Sequence, residues 1–188
     1  MFFSLICYNL SGDTMNELEK FYSSILNIRN NDNRNLIVNI VKDEKQKLLN
    51  EVGCLDGFCK YMASQIEEKL RNANITTYLI DLSSLVSVDH VFLIAEYKSE
   101  NNLKRLLIDP TFSQFVNDEN KQLISLKKWP GDNLDCNIVN DLLKDGVVDI
   151  DEDRFNEYLN SFSDDNIHVD LNQYLLNKKL DNINVRKK

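Results

Sequence analysis

The hydrophobic pattern of the chain is sharpest in its middle. From Gly57 onward, Phe58, Met62, Ile66 and Leu70 recur every four positions, while Lys60, Gln65, Glu67, Glu68 and Lys69 cover the other face. That is the stripe of an amphipathic helix, and Asn72-Ala73-Asn74 ends it. Glu67 and Glu68 ahead of Arg71 add helical ion pairs of minor worth. Thr76 to Leu82 reads as a strand, since Thr, Tyr and Ile favour the pleated conformation. A connector follows from Ser83 to Val88. His90 to Tyr97 is almost wholly apolar, which predicts a strand covered on both faces in the middle of a sheet. Lys98 to Lys104 predicts a charged hairpin loop, and Arg105 to Asp109 the returning strand. Pro110 cannot donate to a ladder and stops it.

The flanks are less informative. Asp13-Thr14-Met15-Asn16-Glu17 offers an N-cap for a helix to about Ile28, with Leu18, Phe21, Tyr22, Ile25 and Leu26 on one face. Asn30-Asn31-Asp32-Asn33-Arg34-Asn35 predicts a loop. Leu36 to Val41 fits either a short strand or the first turn of a helix continuing through Leu49. Beyond Gln114, Trp129-Pro130-Gly131-Asp132 marks a turn and Asn137 to Leu143 a short helix. Asp151 to Phe162 predicts a helix whose acidic first turn suits the dipole, and Leu171 to Leu180 a last one before the basic Arg186-Lys187-Lys188, expected to fray. No internal repeat or second-domain boundary is visible. The expectation is one α+β domain over residues 1–188, with a helix packed on an antiparallel sheet and the chemistry concentrated in residues 53–115.

Composition narrows the function classes. A length of 188 residues with 43% hydrophobic content supports one substantial core. A net charge of −8, without a basic face, argues against nucleic acid and suits a protein that meets other proteins or peptides. Met1 to Leu10 is apolar but lacks the basic start and small-residue site of a signal peptide. It is too short to span a bilayer, and a buried strand or helix start is the expectation. Cys7, Cys54, Cys59 and Cys136 are too scattered for a disulfide framework, and with two histidines no structural zinc site is expected. No cofactor is implied.

Three residues at element ends carry the candidate chemistry. Cys59 opens the amphipathic helix, where unpaired backbone N–H groups and the dipole favour thiolate over thiol and can also hold an oxyanion. Gly57 permits close approach of a substrate backbone. His90 heads the apolar strand and has the chemistry of a general base, and Asp109 closes the next strand, where it can orient the imidazole. Each residue has a plainer reading: buried packing for the cysteine, a strand-end histidine, a turn aspartate before Pro110. Their order favours the shared one. A helix and a strand fit between Cys59 and His90, a hairpin fits between His90 and Asp109, and antiparallel strands then set His90 and Asp109 side by side. Asp89 competes for the orienting role, but neighbours on a strand point to opposite faces. Cys54, in the turn Gly53-Cys54-Leu55-Asp56-Gly57, is near enough in sequence for a disulfide with Cys59 that would silence the thiol outside a reducing cytosol. The alternative is that Cys54 is a small buried hydrophobe. Asp149-x-Asp151-x-Asp153 begins like a calcium loop but has Arg154 where glycine is needed and Asn160 for the closing glutamate, and His168 reads as surface.

Gly-x-Cys-x-x-x-Ala at the helix start, the histidine before an apolar strand, and Leu107-Ile108-Asp109-Pro110-Thr111 at the end of the next resemble the transglutaminase-like branch of the papain-fold cysteine enzymes. Asp89-His90-Val91-Phe92-Leu93-Ile94 and Ile108-Asp109-Pro110-Thr111-Phe112-x-Gln114-Phe115 are most similar to the papain-fold deamidase domains of dermonecrotic or mitogenic bacterial toxins and related injected effectors. The resemblance covers roughly the middle third of the chain. It implies a Cys59–His90–Asp109 triad, with Gln114 a nearby amide that positions substrate or the oxyanion. It also implies a papain-like fold and secretion or injection from a bacterium into a host cytosol. The implied substrate is a host signalling protein such as a G-protein α subunit. Eukaryotic-type transglutaminases carry a tryptophan close after the histidine; Val91-Phe92 stand here, a departure that weighs against cross-linking more than against hydrolysis. A cysteine protease, a transglutaminase and a non-catalytic papain-fold binding module are the alternatives.

Overall fold

The computed structural model describes residues 33–99 and 102–185. The helix expected over residues 13–28, the apolar start with Cys7, and the basic tail lie outside the described residues. The chain is mixed α+β. A helix, α1, covers residues 33–52, followed by α2 (Cys59–Asn72), β1 (Thr76–Asp81), β2 (Val91–Ser99) and β3 (Asn102–Ile108). Two short helices, α3 (Asp118–Lys121) and α4 (Pro130–Asn133), lead to α5 (Cys136–Asp145), β4 (Val147–Ile150), α6 (Glu152–Ser161) and α7 (Leu171–Val185). Single 3-10 turns cover Leu82–Ser84 and Phe112–Phe115.

The strands form one antiparallel sheet in the order β1-β2-β3-β4. Its two faces explain the sequence of β2. Val91, Leu93 and Ala95 join Leu106, Ile108 and Val147 under α1 and α2, where Ile37, Val41, Met62, Ile66 and Leu70 are buried. Phe92 and Ile94 join Leu107 and Val148 under α5, α6 and α7, with Ile138, Leu142, Phe155, Tyr158, Leu159 and Leu171. With helices on both sides, an interior strand has no polar face to show, and its sequence is accordingly continuous rather than alternating.

The structure decides some sequence expectations that were open, corrects others and agrees with the rest. Leu36 to Val41 is helical, within α1, and so are Asn33 to Asn35, expected as loop. Arg34 is held there by Asp149 at 2.7 Å. The hairpin is tighter than its charges suggested: β2 runs to Ser99 and β3 begins at Asn102, with Lys98 opposite Leu103. The strand β4 had no sequence signal apart from Val147 and Val148, and it forms because Gly146, at φ 71°, ends α5 in a left-handed cap that turns the chain back along β3. Of the two acidic partners expected for Arg71, Glu67 pairs with it, at 2.9 Å. Asp151 caps α6 by accepting the Arg154 N–H at 2.9 Å, and Asp149 accepts from Arg34 and Tyr97, so these carboxylates are engaged by side chains and backbone. His168 is exposed, its Nε2 3.7 Å from Glu152. Among the described residues, no helix is long and apolar enough to cross a membrane.

Candidate active site

Antiparallel pairing of β2 with β3 brings the start of one strand to the end of the other. His90 immediately precedes β2 and Asp109 immediately follows β3. Both continue the face that carries Phe92 and Leu107, so their side chains meet above the same layer of helices. The imidazole Nε2–H donates to Asp109 Oδ2 at 2.8 Å, and both residues are 0% exposed. Asp89 takes the other direction, as strand alternation requires: its carboxylate is 79% exposed and pairs with Lys60 at 3.0 Å. The geometry therefore selects Asp109 and not Asp89 as the imidazole's partner.

Cys59 arrives from the opposite layer. The stripe of α2 packs on the Val91-Leu93-Ala95 face, and its first residue reaches the end of the sheet, where the partly buried thiol lies close enough to His90 for the two groups to shift each other's ionisation. Gly57, at φ 78°, makes the turn into α2. Phe58 supplies no side-chain cap to the first-turn N–H groups of α2. Half-burial pushes the Cys59 thiol up. The influence of His90, with the N–H groups of Val91 and Lys60, outweighs it and holds the thiol below its ordinary value. Burial likewise opposes protonation of His90, yet the charge and hydrogen bond of Asp109, aided by Cys59, push it up to about 9. Each group thus favours the charged form of the other, imidazolium supporting thiolate and thiolate supporting imidazolium.

Gln114, in the 3-10 turn after Asp109, is buried, and its amide spans the site. Its Oε1 accepts from the Gly57 N–H at 3.4 Å, and its Nε2 lies 3.4 Å from His90 Nδ1. Asn120 ties the same turn to the loop before Cys59, donating to Asp56 at 2.9 Å and to the Gln114 carbonyl at 3.1 Å. Cys54 is an exposed free thiol in that loop, not the buried hydrophobe of the alternative reading, and Leu55 beside it is the buried residue.

Several contributors were not singled out in the sequence. Thr111 donates its N–H (3.2 Å) and hydroxyl (3.0 Å) to Asp109 Oδ1, and Asp-Pro-Thr is the kind of turn in which an aspartate folds back on its own backbone. Tyr158 of α6 donates its hydroxyl to Asp109 Oδ2 at 2.8 Å. Phe115 meets the imidazole edge-on at 4.9 Å and Phe162 stacks on it at 6.0 Å. Neither Tyr158 nor Phe162 carried a local signal, because each acts through contacts distant in sequence. The result is a dry imidazole and carboxylate behind a half-exposed thiol, an arrangement able to deliver a nucleophile and a proton to a carbonyl compound approaching from the thiol side.

No protein-family model, curated protein or solved structure matches this chain.

Proposed function

We propose that this protein is a thiol-dependent amide hydrolase of papain-like architecture, and most concretely a deamidase of glutamine side chains in a protein substrate. The observation that carries the reading is the buried Asp109–His90 hydrogen bond set beside Cys59 at a helix N-terminus. The Cys59 thiolate attacks the carboxamide carbon, and Gln114 with the first-turn N–H groups of α2 faces the oxyanion. The His90 imidazolium gives its proton to the departing nitrogen, and ammonia leaves a thioester. Water, deprotonated by His90, then attacks the thioester; the acid is released and Cys59 is regenerated. Asp109 holds the imidazole so that Nδ1 faces the sulfur. By the toxin and effector resemblance, the protein is delivered into a host cytosol and acts on a signalling protein such as a G-protein α subunit.

Intact-mass measurement of candidate host proteins tests this. Deamidation raises mass by about one dalton, as hydroxyl replaces amine through the acyl-enzyme. Wild type should produce that change with ammonia release, and Cys59→Ser should not. A cleaved partner would make the protein a protease, and incorporation of an added amine would make it a transglutaminase. A host effect preserved in Cys59→Ala would leave a binding module.

A further inference from the structure

The Asp109 carboxylate is shared more widely than orientation of one histidine requires. Oδ1 accepts two donors from Thr111, while Oδ2 accepts both the imidazole Nε2–H and the Tyr158 hydroxyl, each at 2.8 Å. Tyr158 has no other visible reason to point there. It is fully buried, its ring packs against Phe92 at 5.1 Å and Phe162 at 5.2 Å, and a phenylalanine would serve that packing equally. The hydroxyl is the part that the packing does not explain.

We infer that Tyr158 is a positioning residue that shares the Asp109 carboxylate with His90 and thereby limits how tightly the imidazolium keeps its proton. Two donors on one oxygen draw on the same negative charge, so the tyrosine weakens the bond that stabilises the imidazolium. A histidine held too firmly as a cation is a poor proton donor to a leaving group and a poor base toward water. Tyr158 keeps the carboxylate anionic and fixed while reducing its grip. This rests on the triad reading of the site, in which His90 moves the proton.

The charged and titratable groups facing this pair come from several elements. Cys59 of α2 lies on the thiol side of His90, and Tyr158 of α6 on the carboxylate side. Lys45 of α1, which donates to the Leu143 carbonyl at 2.8 Å, is within the field of Asp109. Neither Cys59 nor Lys45 is altered by removing the Tyr158 hydroxyl alone.

The test uses the full chain and needs no substrate, so it stands apart from failure of the deamidase reading. The protein has two histidines, and His168 is exposed, so imidazole NMR titration reads His90 against an internal reference. In Tyr158→Phe the His90 midpoint should move upward by roughly half a pH unit or more, with His168 unchanged. Thr111→Val, which removes one donor from the other oxygen, should move it in the same direction, and Thr111→Ser should restore the wild-type midpoint. An unchanged or lowered His90 midpoint in folded Tyr158→Phe would overturn the proposal, because a hydroxyl that serves only packing or stability would not raise it. If Tyr158→Phe does not fold, the Thr111 pair decides by the same criterion.

Discussion

Replacing Asp109 by Asn removes one charge from the centre of the site and keeps its size. The rise of His90 from the ordinary 6.5 to about 9 corresponds to about 3 kcal/mol in favour of the imidazolium. Burial, the largest single influence, opposes that rise, and Asp109 leads the groups that cause it. Without the carboxylate charge the imidazole should titrate near or below 6.5, and the Cys59 sulfur should keep its proton to higher pH than in wild type. Alkylation of Cys59 by iodoacetamide, followed by peptide mass spectrometry, reads the thiolate directly. Wild type should react on a plateau that extends well below the ordinary thiol range. Asp109→Asn should lose that plateau, its rate at pH 6 falling by roughly tenfold to a hundredfold. Stability gives a second readout. A histidine raised on folding contributes stability that is fully present below its unfolded value near 6.5 and lost as pH rises through about 9. The melting gap between wild type and Asp109→Asn should therefore narrow across that window. Asp89→Asn, at an exposed carboxylate paired with Lys60, should match wild type in both assays. A folded Asp109→Asn that keeps the low-pH plateau would refute the reasoning.

If Gln114 serves the oxyanion as proposed, Gln114→Ala should lower turnover roughly a hundredfold, while Cys59 alkylation at pH 7 falls much less. Equal losses in the two assays would place Gln114 in thiolate formation instead. Gly146→Ala sets a side chain at φ 71° with its Cβ 3.0 Å from Pro110 Cα, on the residue whose carbonyl accepts the Asp109 N–H at 2.9 Å. It should destabilise the fold by more than about 1 kcal/mol in urea titration and slow Cys59 alkylation as well. If Cys54 acts as a redox partner, mild oxidation should silence wild type reversibly by thiol reductant, and Cys54→Ala should show no such reversible loss; equal behaviour would dismiss the switch and leave the triad in place.

The parts of the fold legible in the sequence are those with one dominant physical cause. The four-residue stripe of α2 and the apolar run of β2 leave no competing arrangement, and both formed where expected. Leu36 to Val41 was ambiguous because β-branched residues suit a strand, whereas in the structure Ile37 and Val41 serve a helix whose inner face meets α2 and the sheet. The edge strand β4 is four residues long and owes its place to pairing with β3 and to a glycine cap, neither of which has a period to read.

The site divides along the same line. Cys59, His90 and Asp109 were legible because each stands at the end of a predictable element, and antiparallel pairing of one hairpin converts that order into proximity. Alternation along the strand even separates Asp109 from Asp89, as the opposite fates of His90 and Asp89 bear out. The groups that finish the environment obey no such rule. Tyr158 and Phe162 come from α6 and its end, on a helix whose register against the sheet is set by the packing of Phe155, Tyr158 and Leu159 on Phe92 and Ile94. A sequence announces which face of that helix is apolar, but not which of its buried rings will land on a carboxylate. The consequence is chemical as well as geometric. The candidate triad residues sit where local rules place them, and the residues that complete the surroundings of His90 and Asp109 sit where only the assembled core can place them.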